Sequence, residues 1–235
     1  MTVQNPVDDL AQDRSRLGRS STAERVADIL RERVIEGFFE PGQRLSEEAI
    51  SEALGVSRNT LREAFRLLGH ERLLDHRLNR GVFVRILSAD DVTDLYRVRK
   101  VIEGAAVRRS GQAGPEAMAV LREAVADAAT AAKSGSWQEV GTANIRFHQA
   151  LAALNGSPRL DEAMRQLLAE LRLVFHVMHN PRSFHEPFVE HNRRLLELVE
   201  AGKVEEAGAF LDAYLDDAEQ LLLRAYEPQG QPLTF

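Results

Sequence analysis

Apolar residues recur at helical spacing along most of this chain, with one short interruption. After a polar, aperiodic stretch at 1–18, Ser21-Thr22-Ala23-Glu24 fits a capping box, and Val26, Ile29, Leu30 and Val34 share one face of the helix that follows. Gly37 and the Pro41-Gly42 pair end that helix. Ser46 can cap a short second helix carrying Ala49, Ile50, Ala53 and Leu54, and Gly55 stops it. Ser57 then caps a third helix whose apolar stripe is Leu61, Ala64, Phe65 and Leu68. Over 73–86 the period changes. Val82, Phe83 and Val84 suit a strand, and Asn79-Arg80-Gly81 suits a hairpin tip at which glycine supplies the positive φ.

From Ser88-Ala89-Asp90-Asp91 to about 226 the pattern is helical again. Pro115 suits a first-turn position, and Leu121, Val125 and Ala128 continue that helix. Ser134-Gly135-Ser136 breaks it. Further helices are predicted over Trp137–Leu154, Ser157 to about His179, Phe188–Ala201 and Val204–Tyr226, with Asn180-Pro181-Arg182-Ser183 as a loop. The expected fold is mainly α: a winged helix-turn-helix with a small β-hairpin wing, followed by an all-α bundle of six or seven helices. Residues 1–18 read as a disordered arm, 19–87 as a DNA-binding domain and 88–235 as a helical domain.

Composition narrows the chemistry. The 235 residues include no cysteine, which excludes disulfides and a cysteine-ligated zinc or iron–sulfur centre. No stretch approaches the ~20 apolar residues of a membrane span, and the first residues lack the apolar core of a signal peptide, so a cytoplasmic protein without membrane contacts is expected. Net charge is −6, yet residues 57–85 hold seven arginines (58, 62, 66, 72, 77, 80 and 85) against three acids. An acidic chain that concentrates arginine in one window has the footprint of a local phosphate-binding surface. A merely solvated charged face is the alternative.

The turn Leu54-Gly55-Val56-Ser57 between two short helices has helix-turn-helix spacing. On the third helix Leu61, Phe65 and Leu68 point one way, while Arg58, Arg62 and Arg66 recur every four residues and form an outward stripe. Ser57, Asn59 and Thr60 cluster at its N-terminus, where small polar groups suit phosphate oxygens. Arginine can grip a guanine edge with two bonds. Arg80 at the hairpin tip would reach a minor groove or the backbone.

The segments Pro41-Gly42-Gln43-Arg44-Leu45-Ser46-Glu47, Leu54 through Ala64 and Arg80-Gly81-Val82-Phe83-Val84 resemble the winged helix of GntR regulators. The helical remainder is similar to the FCD ligand-binding domain of the FadR subgroup. The resemblance implies DNA contacts by Arg44, Ser57, Arg58, Asn59, Thr60, Arg62, Arg80 and Gly81. It also implies a homodimer on double-stranded DNA at a palindromic operator, and a small-molecule effector, a carboxylate metabolite, that modulates a repressor. Glu48 stands where some members of that family place a DNA-contacting arginine.

Many FCD domains hold a metal with one Asp and three His. Here the first pair corresponds to Asn144 and His148, which share a helix face, and alignment on Gly202 brings Asn192 and Tyr214 to the remaining positions. Asn and Tyr are poor ligands for a divalent metal. No metal cofactor is expected, although a one-residue shift of register would add His191 to His148 as ligands. The alternative is a metal-free polar pocket in which Asn144, His148, Asn192 and Tyr214 hydrogen-bond the effector. Arg99 would pair with its carboxylate, or form a salt bridge to Glu103 one turn on. His176, His179 and His185 read as core or surface histidines, and Phe147, Phe175, Phe184, Phe188 and Phe210 as core.

Two other function classes compete. A helical enzyme acting on a small organic acid would use His148 as base, but no Ser/His/Asp set, phosphate-cradling glycine loop or His-Glu-x-x-His motif is present. A non-specific DNA-compacting protein conflicts with the low overall basicity.

Overall fold

The structure is a computed structural model that describes residues 21–35, 38–175, 181–224 and 226. The N-terminal arm, Gly37, His176 and His179 lie outside the described residues. The element order is α1 (Thr22–Ile35), β1 (Arg44–Leu45), α2 (Glu47–Leu54), α3 (Arg58–His70), β2 (Leu74–Arg77), β3 (Gly81–Val84), α4 (Ala89–Arg109), α5 (Pro115–Ser134), α6 (Trp137–Ala153), α7 (Pro158–Phe175), α8 (Pro181–Glu200) and α9 (Val204–Arg224). This is the mainly α architecture that the periodicity predicts: a winged helix-turn-helix and then a helical bundle.

Local chemistry sets the helix starts. Ser21 and Glu24 exchange capping bonds ahead of α1. The Ser46 side chain accepts from Ala49 N, Ser57 from Thr60 N, and Ser88 forms a full capping box with Asp91. α2 ends on Gly55 at φ 62°, the left-handed geometry that turns the chain toward α3. α3 buries Leu61, Ala64, Phe65 and Leu68 against α1, which offers Ala23, Val26, Ala27, Leu30 and Val34.

The wing is an antiparallel sheet of order β1-β3-β2, in which Leu45 pairs with Val82 and Leu74 with Val84. Gly81, at φ 103°, and Asn79, at φ 58°, make the hairpin turn. β1 was not predicted, because two residues are too few to show a period.

Three further expectations are corrected. Ile29 is 42% exposed instead of facing the core; Ala23 and Ala27 take the inner positions. On α2, Ala49 and Ala53 are exposed, and only Ile50 and Leu54 lean on the core. The segment 181–183 is helical, not a loop, and α8 continues through Pro187 up to Glu200. Phe184 and His185 there are each 2% exposed, with the Phe184 ring packed at a tilt between Phe175 and Phe188. Burial of that aromatic cluster outweighs the hydrogen bond lost at Pro187.

In the bundle, α6 packs against α5, α7 and α9's neighbour α8, while α4 packs against α9. α1 and α4 both touch α7. No helix among the described residues is long and apolar enough to cross a membrane.

Candidate nucleic-acid interface and buried polar centre

The inward stripe of α3 is fully buried, so the opposite face must be open. Arg58, Arg62 and Arg66 keep 59%, 61% and 58% of their side-chain surface exposed. At the helix N-terminus the Ser57 and Thr60 hydroxyls lie 2.8 Å apart and Asn59 is exposed beside them. Arg58 donates to Glu48 and Arg62 to Glu47, each at 2.7 Å. The two arginines nearest the start of α3 are therefore held by the acidic first turn of α2. Arg66 is held by Glu63 within its own helix.

The wing brings a second group to the same side. The Arg44 guanidinium lies over Gly81, where a Cβ would meet its Nε at 3.3 Å. Arg44, Arg58 and Gly81 line one cleft of about 350 Å³ together with Glu47 and Glu48. Arg80 stands exposed at the hairpin tip, and Arg77 lies over the Phe83 ring at 4.4 Å. Arg44 and Gly81, far apart in sequence, are thus joined on one surface.

In the bundle, Arg99, Asn144, His148, Asn192 and Tyr214 converge as one buried network, each at most 8% exposed. Glu103, which sequence reasoning treated only as a partner for Arg99, is its anchor. Arg99 Nε donates to Glu103 Oε1 at 2.8 Å, and His148 Nδ1 donates to Glu103 Oε2 at 2.6 Å. His148 Nε2 lies 2.8 Å from the Tyr214 hydroxyl, which donates to Asn192 Oδ1 at 2.8 Å and lies 3.2 Å from Asn144 Oδ1. Asn192 Nδ2 donates to Asn144 Oδ1 at 2.7 Å. The phenol has one proton to divide among three acceptors, His148 Nε2, Asn192 Oδ1 and Asn144 Oδ1, so Tyr214 is the branch point of the network.

Burial works to raise the Glu103 carboxyl, but the Arg99 guanidinium and His148 hold it below the usual carboxylate range. Burial, with the Arg99 charge, pushes His148 below the usual imidazole range against the pull of Glu103. Burial raises the Tyr214 phenol well above its ordinary value.

This donor set does not fit a divalent metal. Two amides and a phenol replace carboxylate and imidazole, and both His148 nitrogens already have partners. His191 does not complete the site: its Nδ1 lies 2.6 Å from Pro187 O, and its ring lies near Phe188 and Phe210. Among the described residues no group of three or more His, Cys, Asp or Glu could hold a metal ion.

Sequence reasoning missed a second buried group. Arg172 on α7 is 3% exposed and His185 on α8 is 2% exposed. His185 lies within α8, ahead of the start expected at Phe188. Both side chains meet over Gly141 of α6. The available signal was a single arginine inside the apolar run Leu171–Phe175.

Residues 22–84 match the family described as bacterial regulatory proteins, gntR family, and residues 94–217 match the FCD domain. The chain is 29% identical over 178 residues to the Nta operon transcriptional regulator of Aminobacter aminovorans, covering 75% of this chain and 83% of that protein. It is 40% identical over 98 residues to the gluconate operon transcriptional repressor of Bacillus licheniformis, covering 41% and 40%. A crystal structure of a GntR transcriptional regulator from Rhodococcus sp. RHA1 is 47% identical, superposes with a TM-score of 0.83 and covers 88% of this chain and 100% of its own. The family is one of DNA-binding regulators, and none of these relatives supports the enzyme reading with His148 as base. The chain belongs to the GntR family of bacterial regulatory proteins, with an FCD domain behind its winged helix.

Proposed function

We propose that the chain is a cytoplasmic, ligand-responsive repressor that binds a palindromic operator as a homodimer. Residues 19–87 are the DNA-reading unit and 88–235 the effector-binding and dimerisation unit. α3 lies in the major groove, where Arg58 and Arg62 read base edges, and Ser57, Asn59 and Thr60 receive phosphate oxygens. Arg44, Arg80 and Gly81 bring the wing onto the adjoining backbone. The observation that carries this reading is the division of α3 into a sealed apolar face and an open arginine face.

The effector is a small carboxylate held in the helical unit, with Arg99, Asn144, His148, Asn192 and Tyr214 as the polar floor of its site. Two half-sites must lie about one DNA turn apart, ~34 Å, so a small change in dimer geometry weakens the complex. Arg58→Ala is expected to cost about 1–3 kcal/mol of operator affinity and to relax specificity at the contacted base. A gel-shift titration against the operator and a scrambled duplex checks this, and an unchanged operator affinity refutes it.

A further inference from the structure

Among the described residues, the bundle holds a buried cation with no counter-charge. Arg172 is 3% exposed, yet among the described residues its side chain makes no hydrogen bond or ion pair, and its Nε is sealed from solvent without a partner. His185, 2% exposed, is in the same condition at Nδ1. The two groups converge: a Cβ on Gly141 would meet Arg172 Nη1 at 2.6 Å and His185 Nε2 at 2.7 Å, so these nitrogens lie within about 5 Å of each other. Phe175 and Phe184 wall the group, with ring centroids 4.9 Å from the His185 imidazole in both cases.

A buried guanidinium is ordinarily matched by a carboxylate, because desolvation of an unmatched charge costs several kcal/mol. Here two nitrogen groups converge, and among the described residues nothing accepts from them. We propose that Arg172 and His185, over Gly141, form a carboxylate-binding site for a small monoanion with an apolar or aromatic body. The cation of the Glu103–His148–Tyr214 network, Arg99, already has a carboxylate. A planar carboxylate matches the guanidinium fork, and the aromatic walls disfavour a strongly hydrated phosphate. Charge balance agrees. Burial, together with the Arg172 charge, pushes His185 down to about 3, so it is neutral and the site carries one positive charge. Burial pushes Arg172 down to about 10, which still leaves it charged at neutral pH. This inference rests on the effector role proposed for the helical unit: the ligand's carboxylate lands on Arg172 and His185 rather than on Arg99, which is already paired with Glu103, and its body extends toward Asn144, three residues beyond Gly141 on α6.

The test is isothermal titration of the full-length protein, without DNA, with acetate, benzoate and the uncharged benzamide. Benzoate is expected to bind and benzamide not to bind. Arg172→Met should weaken benzoate at least tenfold, the loss of one charge-assisted pair. Gly141→Ala should do the same by displacing both donors while leaving Arg172 in place. Circular dichroism checks that each variant is folded. The proposal is overturned if neither acetate nor benzoate binds at millimolar concentration, if benzamide binds as well as benzoate, or if both variants retain wild-type affinity. Operator binding without carboxylate binding would sink this site alone, whereas carboxylate binding without operator binding would sink the regulator reading alone.

Discussion

Removing the Glu103 carboxylate tests whether the polar centre is an interdependent unit. Glu103 is 0% exposed and accepts from both Arg99 and His148. Glu103→Leu keeps a side chain of similar bulk but leaves the Arg99 guanidinium, 1% exposed, without its counter-ion. Breaking a buried pair from one side costs about 3–5 kcal/mol. Arg99→Met in the same chain removes the stranded charge. What then remains is the His148 Nδ1–H without an acceptor, about 1–3 kcal/mol. The double variant should therefore be more stable than Glu103→Leu by about 2 kcal/mol, although it carries one more substitution. Urea denaturation followed by circular dichroism measures both, at one fixed protein concentration so that any dimer contributes equally. A double variant no more stable than Glu103→Leu, or a single variant that loses less than about 1 kcal/mol, would refute the reasoning.

Tyr214→Phe removes the hydroxyl shared by His148, Asn144 and Asn192 and should cost about 1–3 kcal/mol, seen as a thermal midpoint lowered by several degrees. Glu48→Gln frees Arg58 from an exposed pair and should tighten operator binding a few-fold in a gel shift while leaving stability nearly unchanged. Burial pushes the Glu170 carboxyl up to about 7, against the nearby Arg85 and Arg72 charges. A raised acid binds its proton more tightly folded than unfolded, so stability falls as pH climbs from the ordinary carboxylate range through 7. Glu170→Gln should remove that fall, a gain of about 1–2 kcal/mol at pH 8 after allowing for solvent screening, with little difference near pH 4.5. Denaturation midpoints across that range check it.

The DNA-binding half was legible because its determinants are local. Ser46, Ser57 and Gly55 set the ends of α2 and α3 through neighbours no more than a few residues away, and the stripe of α3 follows from spacing alone. What escaped depends on distant partners. β1 exists only because Arg44 and Leu45 meet Phe83 and Val82. The early start of α8 depends on Phe184 finding Phe175, against Asn180-Pro181 and Pro187, which locally signal a break. Family resemblance placed Asn144, His148, Asn192 and Tyr214 together. It did not place Glu103 beside His148, 45 residues away in sequence, and nothing local marks that contact. Arg172 and His185 look like ordinary charged helix positions until Gly141 shows that they face each other.

α7 is the element on which the two halves of the chain meet. Arg85, just past β3 of the wing, donates to Asp91 in the first turn of α4 at 2.6 Å and lies 3.5 Å from Glu170 of α7. On the other side of the winged unit, Arg31 of α1 holds Glu71, immediately after α3, through two bonds of 2.6 Å, and α1 itself packs on α7. The wing is thus tied to the bundle through a part-buried ion pair, and α3 is tied by another to α1, which packs on α7; such pairs are less screened than exposed ones. Arg172 sits two residues after Glu170, on roughly the opposite side of the same helix. A ligand that draws Arg172 toward His185 acts on a helix whose other face bears on Arg85. Packed helices respond to such a pull by shifting as units of about 1–2 Å rather than by deforming. In the homodimer proposed above, a shift of that size applied to both wings would change half-site spacing without any residue of α3 being touched.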